Sequence, residues 1–408
     1  MGTLKRIYID RQLSSYVSSF KANIWKMYVF KFLLNLHFVS GVLIPFYIDW
    51  GQIGFTQVMI LQSFFVFSIF VLEVPTGAFA DYLGRKTSLI SAATATTSAA
   101  LVYSLYPHFS IFVLGEFLWA LGYALLSGAD EALVYDSLKL IQSESESKRI
   151  FGRCTSFELA GLMVGAPLGS VIAATFGLRY TMMFMSLPMG CALFVAMTFA
   201  EPERKITHES RKYLKTLLKG VRYFKNHKPL KILAFDKISF GTLVFLIIWI
   251  YQLLLKQLDV SIVYFGFVHT AMMGSEILFM NNFERLEKVF GSKKRYLLWS
   301  ALITGISSII LGMNTYVPLT VVLLLIIAGF GLSRYVLFKN YMNKYIESDI
   351  RATVISTVSM VDRFVRAVSY PLIGLFVEQS PTYAVTAIGA AMIVFALLSG
   401  VEEEHLID

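Results

Sequence analysis

The chain has 408 residues, of which 56% are hydrophobic and only 15% are charged. A soluble globular protein is usually about 25% charged, so this composition excludes a soluble enzyme, a secreted disulfide scaffold and a nucleic-acid-binding domain. The formal net charge of +9 is expected on the cytoplasmic loops of a membrane protein and does not indicate nucleic acid. These values predict a polytopic α-helical membrane protein.

Apolar segments of about the 20 residues that a membrane helix requires recur along the whole chain. The sequence predicts twelve spans, at 25–47, 53–80, 88–106, 109–138, 154–176, 180–200, 231–255, 261–283, 296–313, 317–343, 352–376 and 382–400. The connections between them predict five regions. These are an N-terminal amphipathic segment (1–24), a six-helix half (25–200), a basic linker (201–230), a second six-helix half (231–400) and a tail (401–408).

Basic residues are distributed unevenly between the two sets of connecting loops. One set, together with the N-terminus and with Lys231 and Lys339 near the ends of adjoining spans, contains 28 Lys and Arg, whereas the other contains Arg179 and Lys256 alone. Because basic loops stay in the cytoplasm, both termini and the linker 201–230 are predicted to be cytoplasmic. The linker pattern is typical of a basic amphipathic helix on the inner leaflet. It serves either as a tether between the halves or as a regulatory or partner-binding segment.

The two halves repeat one another weakly. A shift of 204 residues aligns Pro167 with Pro371 and Glu158 with Asp362. Spans three, six, nine and twelve contain no charged residue within their predicted limits, which indicates a three-helix period and lipid-facing positions for these spans. This pattern favours parallel six-helix halves, each built from inverted three-helix units.

The loop between spans two and three carries the most specific motif, Gly77-Ala-Phe-Ala-Asp81-Tyr-Leu-Gly84-Arg85-Lys86. Gly77 allows close helix approach, Gly84 permits a tight turn, and Asp81 can cap or pair across helices. The motif resembles the G-x-x-x-D-x-x-G-R-K loop of the major facilitator superfamily. The resemblance implies a secondary transporter of the prokaryotic efflux type, in which this loop locks the cytoplasmic helix ends, and it does not identify a substrate.

Two further features accompany this resemblance. Glu73 precedes Pro75 in an E-x-P-T-G pattern that similar transporters often carry, and Glu73 is either a gate residue or a proton carrier. In span five, glycines at Gly161, Gly165 and Gly169 partly match a glycine-rich stretch of exporters, but helix packing explains them equally well.

Acidic residues are concentrated in the first half. Span four presents Glu116, Asp130 and Glu131, and an uninterrupted helix would bring Glu116 and Asp130 close to one face. Glu158 lies in span five. A carboxylate in the membrane can be the proton site of a coupled transporter, and a structural ion pair is the alternative for Glu116. Asp136, at the inner end of span four, is expected to pair with Arg149 or Arg153.

The second half is basic instead. Asp362 and Arg366 are four residues apart and can pair on one helix face, which leaves Arg334 and Arg363 without an obvious local partner. The arginines either pair with the acidic half across the cavity or bind an anionic substrate group. Asn35 and His37 in span one are further cavity candidates.

The motifs predict a transporter and not an enzyme. The sequence contains no P-loop, metal cluster or nucleophile elbow, so we predict no cofactor and no metal. The leading hypothesis is proton-coupled export of small, partly apolar compounds by a monomer in the cytoplasmic (inner) membrane. The alternatives are a specific carrier of an anionic metabolite, such as an organic acid or carboxylate siderophore, and a membrane sensor that no longer transports.

Overall fold

A computed structural model describes residues 2–202, 220–347 and 350–406, with side chains described from residue 17 onwards, apart from that of Ala352. Residues 203–219, the larger part of the predicted linker 201–230, lie outside these ranges. All regular elements within the described ranges are helical.

The helices follow the twelve predicted spans in order. Their bounds from span two onwards are Phe55–Leu83, Arg85–Tyr103, Phe109–Leu126 with Ala129–Leu140, Ser147–Phe176, Leu178–Met197, Lys228–Gln257, Val263–Met280, Lys293–Met313, Val317–Ile326 with Ser333–Lys344, Arg351–Gln379 and Pro381–Leu397. Eight of the described helices are long and apolar enough to cross a membrane by length and composition, and Pro381–Leu397 is a shorter apolar helix. The all-α membrane fold predicted from hydropathy is therefore confirmed.

Span one is irregular. Its helix runs without a break from Gly2 to Leu34, so the predicted segment 1–24 continues directly into the span. Residues 35–39 are not helical, and short 3-10, α and π turns follow over Ser40–Val42, Leu43–Pro45 and Phe46–Trp50. Non-helical backbone inside a membrane requires neighbouring protein or a polar cavity around it.

The chain divides into two compact units. One contains residues 1–40 and 68–207, and the other contains residues 41–67 and 208–408. The boundary after residue 40 lies within the irregular part of span one. The end of span one and the start of span two thus pack with the second unit, where the Ile44 amide donates to Gln252 Oε1 at 2.9 Å and the Thr56 amide donates to Glu378 Oε1 at 2.8 Å.

Span four is also interrupted. Its first helix ends at Leu126, and the second begins at Ala129 after Gly128, which has a left-handed φ of 78°. The prediction that Glu116 and Asp130 share one face of a continuous helix is therefore wrong, because Ser127 and Gly128 turn the chain between them. Span ten has a comparable irregularity, a π segment at Ile327–Leu332, and such segments are frequent at functional sites.

The span-five glycines pack against the irregular part of span one. A Cβ on Gly161 would lie 2.5 Å from the Phe32 carbonyl oxygen, and one on Gly165 would lie 2.7 Å from the His37 amide nitrogen. A Cβ on Gly169 would overlap the Phe38 carbonyl. These glycines therefore allow close backbone approach, as the packing interpretation predicts, and they cover the non-helical residues 35–39.

Equivalent carboxylates cap equivalent helices in the two units. Glu201 accepts hydrogen bonds from the amides of Arg85 (3.0 Å) and Lys86 (2.6 Å) at the start of span three. In the second unit, Glu403 accepts from the amides of Lys293 (3.1 Å) and Lys294 (2.8 Å) at the start of span nine. A carboxylate at a helix N-terminus satisfies free amides and complements the helix dipole. The shared arrangement supports the repeat seen in the sequence.

Candidate functional site

Three charged side chains of the first unit form a cluster between spans one, four and five. Lys31 Nζ lies 2.5 Å from Asp130 Oδ2 and 3.2 Å from Glu158 Oε2. The Lys31 and Asp130 side chains are 12% and 9% exposed, whereas Glu158 is 39% exposed. Two carboxylates share one ammonium group, so one negative charge of the cluster is not compensated by Lys31.

A cavity of about 80 Å³ opens beside this cluster. Its lining includes Glu131, which is exposed, together with the apolar side chains Met27, Val134 and Phe151, the Cys154 thiol and the Thr155 hydroxyl. The interruption before Ala129 places Asp130 and Glu131 in the first turn of a helix, where the dipole favours carboxylates. Of the two carboxylates that contact Lys31, Glu158 is more exposed than Asp130, and both line the cavity.

The other candidates of the first unit lie elsewhere. Glu116 is buried in Phe109–Leu126 and does not line this cavity. Asn35 donates to the Lys31 carbonyl at 2.9 Å and thereby closes the end of the first helix. His37 packs edge-on against Trp119, with ring centroids 5.5 Å apart. Asn35 and His37 both belong to the non-helical part of span one.

The loop motif is held by contacts that differ in part from those predicted. Arg85 forms an ion pair with Asp136 and donates to the Ala132 carbonyl at 2.6 Å. The expected pairing of Asp136 with Arg149 or Arg153 is thus wrong, because Arg85 occupies Asp136 and Arg149 pairs with Glu146 at 2.8 Å.

The remaining motif residues have simple roles within the described part of the chain. Gly84 has φ 111°, which agrees with the predicted turn. Gly77 has no atom within 4 Å of the position of a Cβ, so the close helix approach expected there is absent from the described residues. Asp81 is exposed and makes neither an ion pair nor a hydrogen bond with any of them.

Glu73 lies half-buried in Phe55–Leu83, next to Pro75. The following Thr76 donates to the Leu72 carbonyl at 2.7 Å and to the Ala124 carbonyl at 3.1 Å. This second bond ties span two to span four beside the E-x-P-T-G sequence, and both roles considered for Glu73 stay predictions.

In the second unit, Arg334 is already paired. Its Nη2 donates to Asp236 Oδ1 at 2.8 Å, and its Nη1 donates to Ser300 Oγ at 2.7 Å and to the Leu297 carbonyl. Ser399 donates to the other Asp236 oxygen at 2.7 Å. Arg334 and Asp236 are 3% and 8% exposed. Arg334 has no local partner, as expected, but span seven supplies the distant partner Asp236, which the sequence did not identify.

The pair predicted from four-residue spacing in span eleven is present. Arg366 binds Asp362 through two bonds, of 2.9 Å and 3.1 Å, and Tyr335 donates to Asp362 at 3.3 Å. The Arg366 guanidinium lies 4.1 Å from the centroid of the Phe245 ring. Arg363 is half-buried on the same helix and also has an interaction partner.

Sequence reasoning gave no role to two lysines. Lys31 appears as an isolated polar residue in span one, yet it connects Asp130 and Glu158. Lys237 is 4% exposed in span seven, and its Nζ lies 3.9 Å from the centroid of the Tyr335 ring. The signal that could have identified them is the repeat, because Lys31 and Lys237 occupy corresponding helices 206 positions apart. Within the described residues, no group of three or more His, Cys, Asp or Glu could hold a metal ion.

Comparisons with known proteins identify the class. The sequence profile of the Major Facilitator Superfamily matches residues 32–279, which is more than half of the chain. The fold is similar to a point mutant of the nucleoside transporter NupG, with a TM-score of 0.77 and 13% identity over 92% of this chain and 98% of that one. It is also similar to the POT family transporter PepTSo, with a TM-score of 0.70 and 13% identity over 92% of this chain and 96% of that one. A D-xylose-proton symporter gives a TM-score of 0.68 and 15% identity over 93% of this chain and 97% of that one.

The chain therefore belongs to the Major Facilitator Superfamily. It is a multi-pass membrane transporter and not an enzyme. A search among curated proteins gives no match, and the structural neighbours share too little sequence to assign a substrate.

Proposed function

We propose that this protein is a proton-coupled secondary active transporter that exports small, partly apolar compounds by alternating access. The observation that supports proton coupling is the Lys31–Asp130–Glu158 cluster. A net negative charge inside a membrane protein is costly, and a proton taken up by a carboxylate neutralises it. The fold neighbour named as a D-xylose-proton symporter makes proton coupling compatible with this architecture.

Within the cluster, we assign different roles to the two carboxylates. Asp130 makes the shorter contact with Lys31 and is the more buried, so it serves as the fixed counter-ion. Glu158 makes the longer contact and is more exposed beside the cavity, so it exchanges the proton. Glu131 lines the same cavity as an exposed carboxylate and is a route between Glu158 and water. Glu116 remains a second candidate outside this cavity.

Direction and location belong to the same proposal. The excess of basic residues on one set of loops supports a bacterial or archaeal cytoplasmic membrane with both termini inside, and we expect the protein to work as a monomer. A carrier of an anionic metabolite is the second candidate function, because the buried Lys237 of the second unit has no carboxylate partner among the described residues.

The test uses purified protein in proteoliposomes that contain a pH-sensitive dye, with a panel of lipophilic cations and organic acids. The wild type is expected to move protons when a transported compound is added, and Glu158→Gln is expected to lose this movement. Glu144→Gln, which removes an acidic residue outside the cluster, is the matched control and should behave like the wild type. Proton movement that persists in Glu158→Gln and disappears in Glu116→Gln would transfer the role to Glu116.

A further inference from the structure

The two units contain corresponding charged clusters with different residues. Spans one, four and five of the first unit correspond to spans seven, ten and eleven of the second. The cluster residues Lys31, Asp130 and Glu158 correspond to Lys237, Arg334 and Asp362, at shifts of 206, 204 and 204 positions. A lysine (Lys31 and Lys237) and an acidic residue (Glu158 and Asp362) are thus present in both units, whereas Arg334 replaces Asp130.

This replacement leaves Lys237 without a counter-ion in the part of the chain that the structure describes. Lys31 contacts both of its carboxylates. In the second unit, Arg334 points to Asp236, and both oxygens of Asp362 are bound by Arg366. Within the described ranges Lys237 makes no ion pair and no hydrogen bond, and its Nζ lies over the Tyr335 ring.

None of the charged groups around Lys237 forms an ion pair with it within the described ranges. Asp362 favours the ammonium charge, whereas Arg366 and Lys339 oppose it. Asp362 is balanced by Arg366, and Lys339 is an exposed residue that adds a further positive charge. Burying a cation without an anion is unfavourable, and interaction with an aromatic ring offsets only part of that penalty.

A cavity of about 90 Å³ adjoins Lys237 and corresponds to the cavity beside Lys31. Several lining positions are equivalent at a shift of 204, since Ile355, Val358 and Ser359 replace Phe151, Cys154 and Thr155. The volume is well above the roughly 10–15 Å³ that one water requires. Lys339 also lines this cavity, and Met342, Ile346, Ile355 and Val358 form its apolar part.

We propose that Lys237 binds the carboxylate of an amphiphilic organic anion, whose apolar part contacts Met342, Ile346, Ile355 and Val358. The inference deepens the proposed function, on which it rests, by assigning the substrate class: partly apolar compounds that carry one acidic group. Tyr335 holds the ammonium group at the cavity through its ring, and Ser359 supplies a hydroxyl group in the same wall.

The experiment measures binding of benzoate to purified full-length protein at neutral pH by the shift in apparent melting temperature and by titration calorimetry. Benzamide, which has the same shape without the charge, is the ligand control. Benzoate is expected to bind saturably and benzamide is not. Lys237→Ala should weaken benzoate binding about tenfold or more, and Lys237→Arg should retain part of it. The control variant Lys231→Ala removes an exposed lysine from the same helix and should bind like the wild type.

A second variant keeps the test valid if Lys237→Ala does not fold. Ser359→Asp places a tethered carboxylate in the cavity wall, so it should pair with Lys237 and exclude benzoate while the protein stays folded. Unchanged binding by a folded Lys237→Ala or Ser359→Asp variant would overturn the proposal. Absence of benzoate binding to the wild type would also overturn it.

The headgroup of an anionic lipid could also bind the Lys237 ammonium group, and a second experiment distinguishes it from a small organic acid. Binding is repeated in nanodiscs of zwitterionic lipid alone and in nanodiscs with added phosphatidylglycerol. If the ligand is a small organic acid, the affinity for benzoate should be equal in both kinds of nanodisc. If phosphatidylglycerol competes with benzoate at Lys237, the ligand is a lipid headgroup, and the substrate assignment is contradicted.

Failure of this inference can be told apart from failure of the proposed function. Binding at equilibrium requires no proton gradient, so benzoate binding is measured on the Lys237 and Ser359 variants, whereas proton movement is measured on Glu158→Gln. If Lys237→Ala loses benzoate binding but Glu158→Gln still moves protons, the anion site stands and only the assignment of proton coupling to Glu158 is refuted. If proton movement depends on Glu158 but benzoate does not bind, proton coupling stands and only the anion site is refuted.

Discussion

At the scale of single residues, Lys31 determines whether the carboxylates of the first unit are tolerated. Lys31→Met removes the ammonium group and leaves Asp130 and Glu158 without their shared counter-ion. Loss of one partner of a buried ion pair costs about 3–5 kcal/mol. We expect a lower apparent melting temperature in detergent and transport reduced to background in proteoliposomes.

The matched control separates charge from helix packing. Lys21→Met replaces an exposed lysine of the same helix and should leave both measurements unchanged. A triple variant, Lys31→Met with Asp130→Asn and Glu158→Gln, removes all three charges, so stability should recover largely while transport stays lost. A triple variant that is no more stable than Lys31→Met would show that packing, and not charge, explains the loss.

The second unit shows what the sequence can and cannot predict about such residues. Four-residue spacing predicts the Asp362–Arg366 pair because both residues share one face of one helix. The partner of Arg334 could not be predicted in this way, since Asp236 lies 98 positions away on another helix. Asp236 and Lys237 are adjacent and therefore point about 100° apart, so one reaches Arg334 and the other reaches Tyr335. Only packing in three dimensions determines which charge of such a pair is neutralised.

At the scale of helices, the hydropathy pattern predicts the spans well but not their irregularities. A stretch of apolar residues requires burial, and that requirement is met whether the helix is continuous or interrupted. The break at residues 35–39 depends on the glycines of span five, which supply the space next to it. The sequence indicates these glycines but not the segment that they face.

The span-five glycines yield a prediction for this packing. Gly169→Ala places a methyl group onto the Phe38 carbonyl, and overpacking of this kind costs about 1–3 kcal/mol or more. We expect a reduced yield of monodisperse protein and a lower apparent melting temperature. Gly152→Ala, on the same helix with no atom within 4 Å of the added methyl group, should be neutral. Equal behaviour of the two variants would contradict the close approach of spans one and five.

At the scale of the whole molecule, the basic loops predict the orientation of all twelve spans at once. Tyr106 lies between spans three and four on the predicted outer side and is 64% exposed, and Ser145 lies between spans four and five on the predicted cytoplasmic side and is exposed. In a background without Cys154 and Cys191, the two cysteines of the chain, a membrane-impermeant maleimide should label Tyr106→Cys in intact cells. It should label Ser145→Cys only after the membrane is permeabilised.

The orientation also determines from which side of the membrane a substrate reaches the cavity beside Lys237. If the termini are cytoplasmic, the start of span nine and the tail that caps it through Glu403 lie on the inner side. The cavity beside Lys237 extends to Ile346 and Ile355, which flank the loop between spans ten and eleven, on the same predicted side. An organic anion would then reach Lys237 from the cytoplasm, as export requires. Labelling of Ser145→Cys in intact cells would reverse the topology, and the same cavity would then favour uptake.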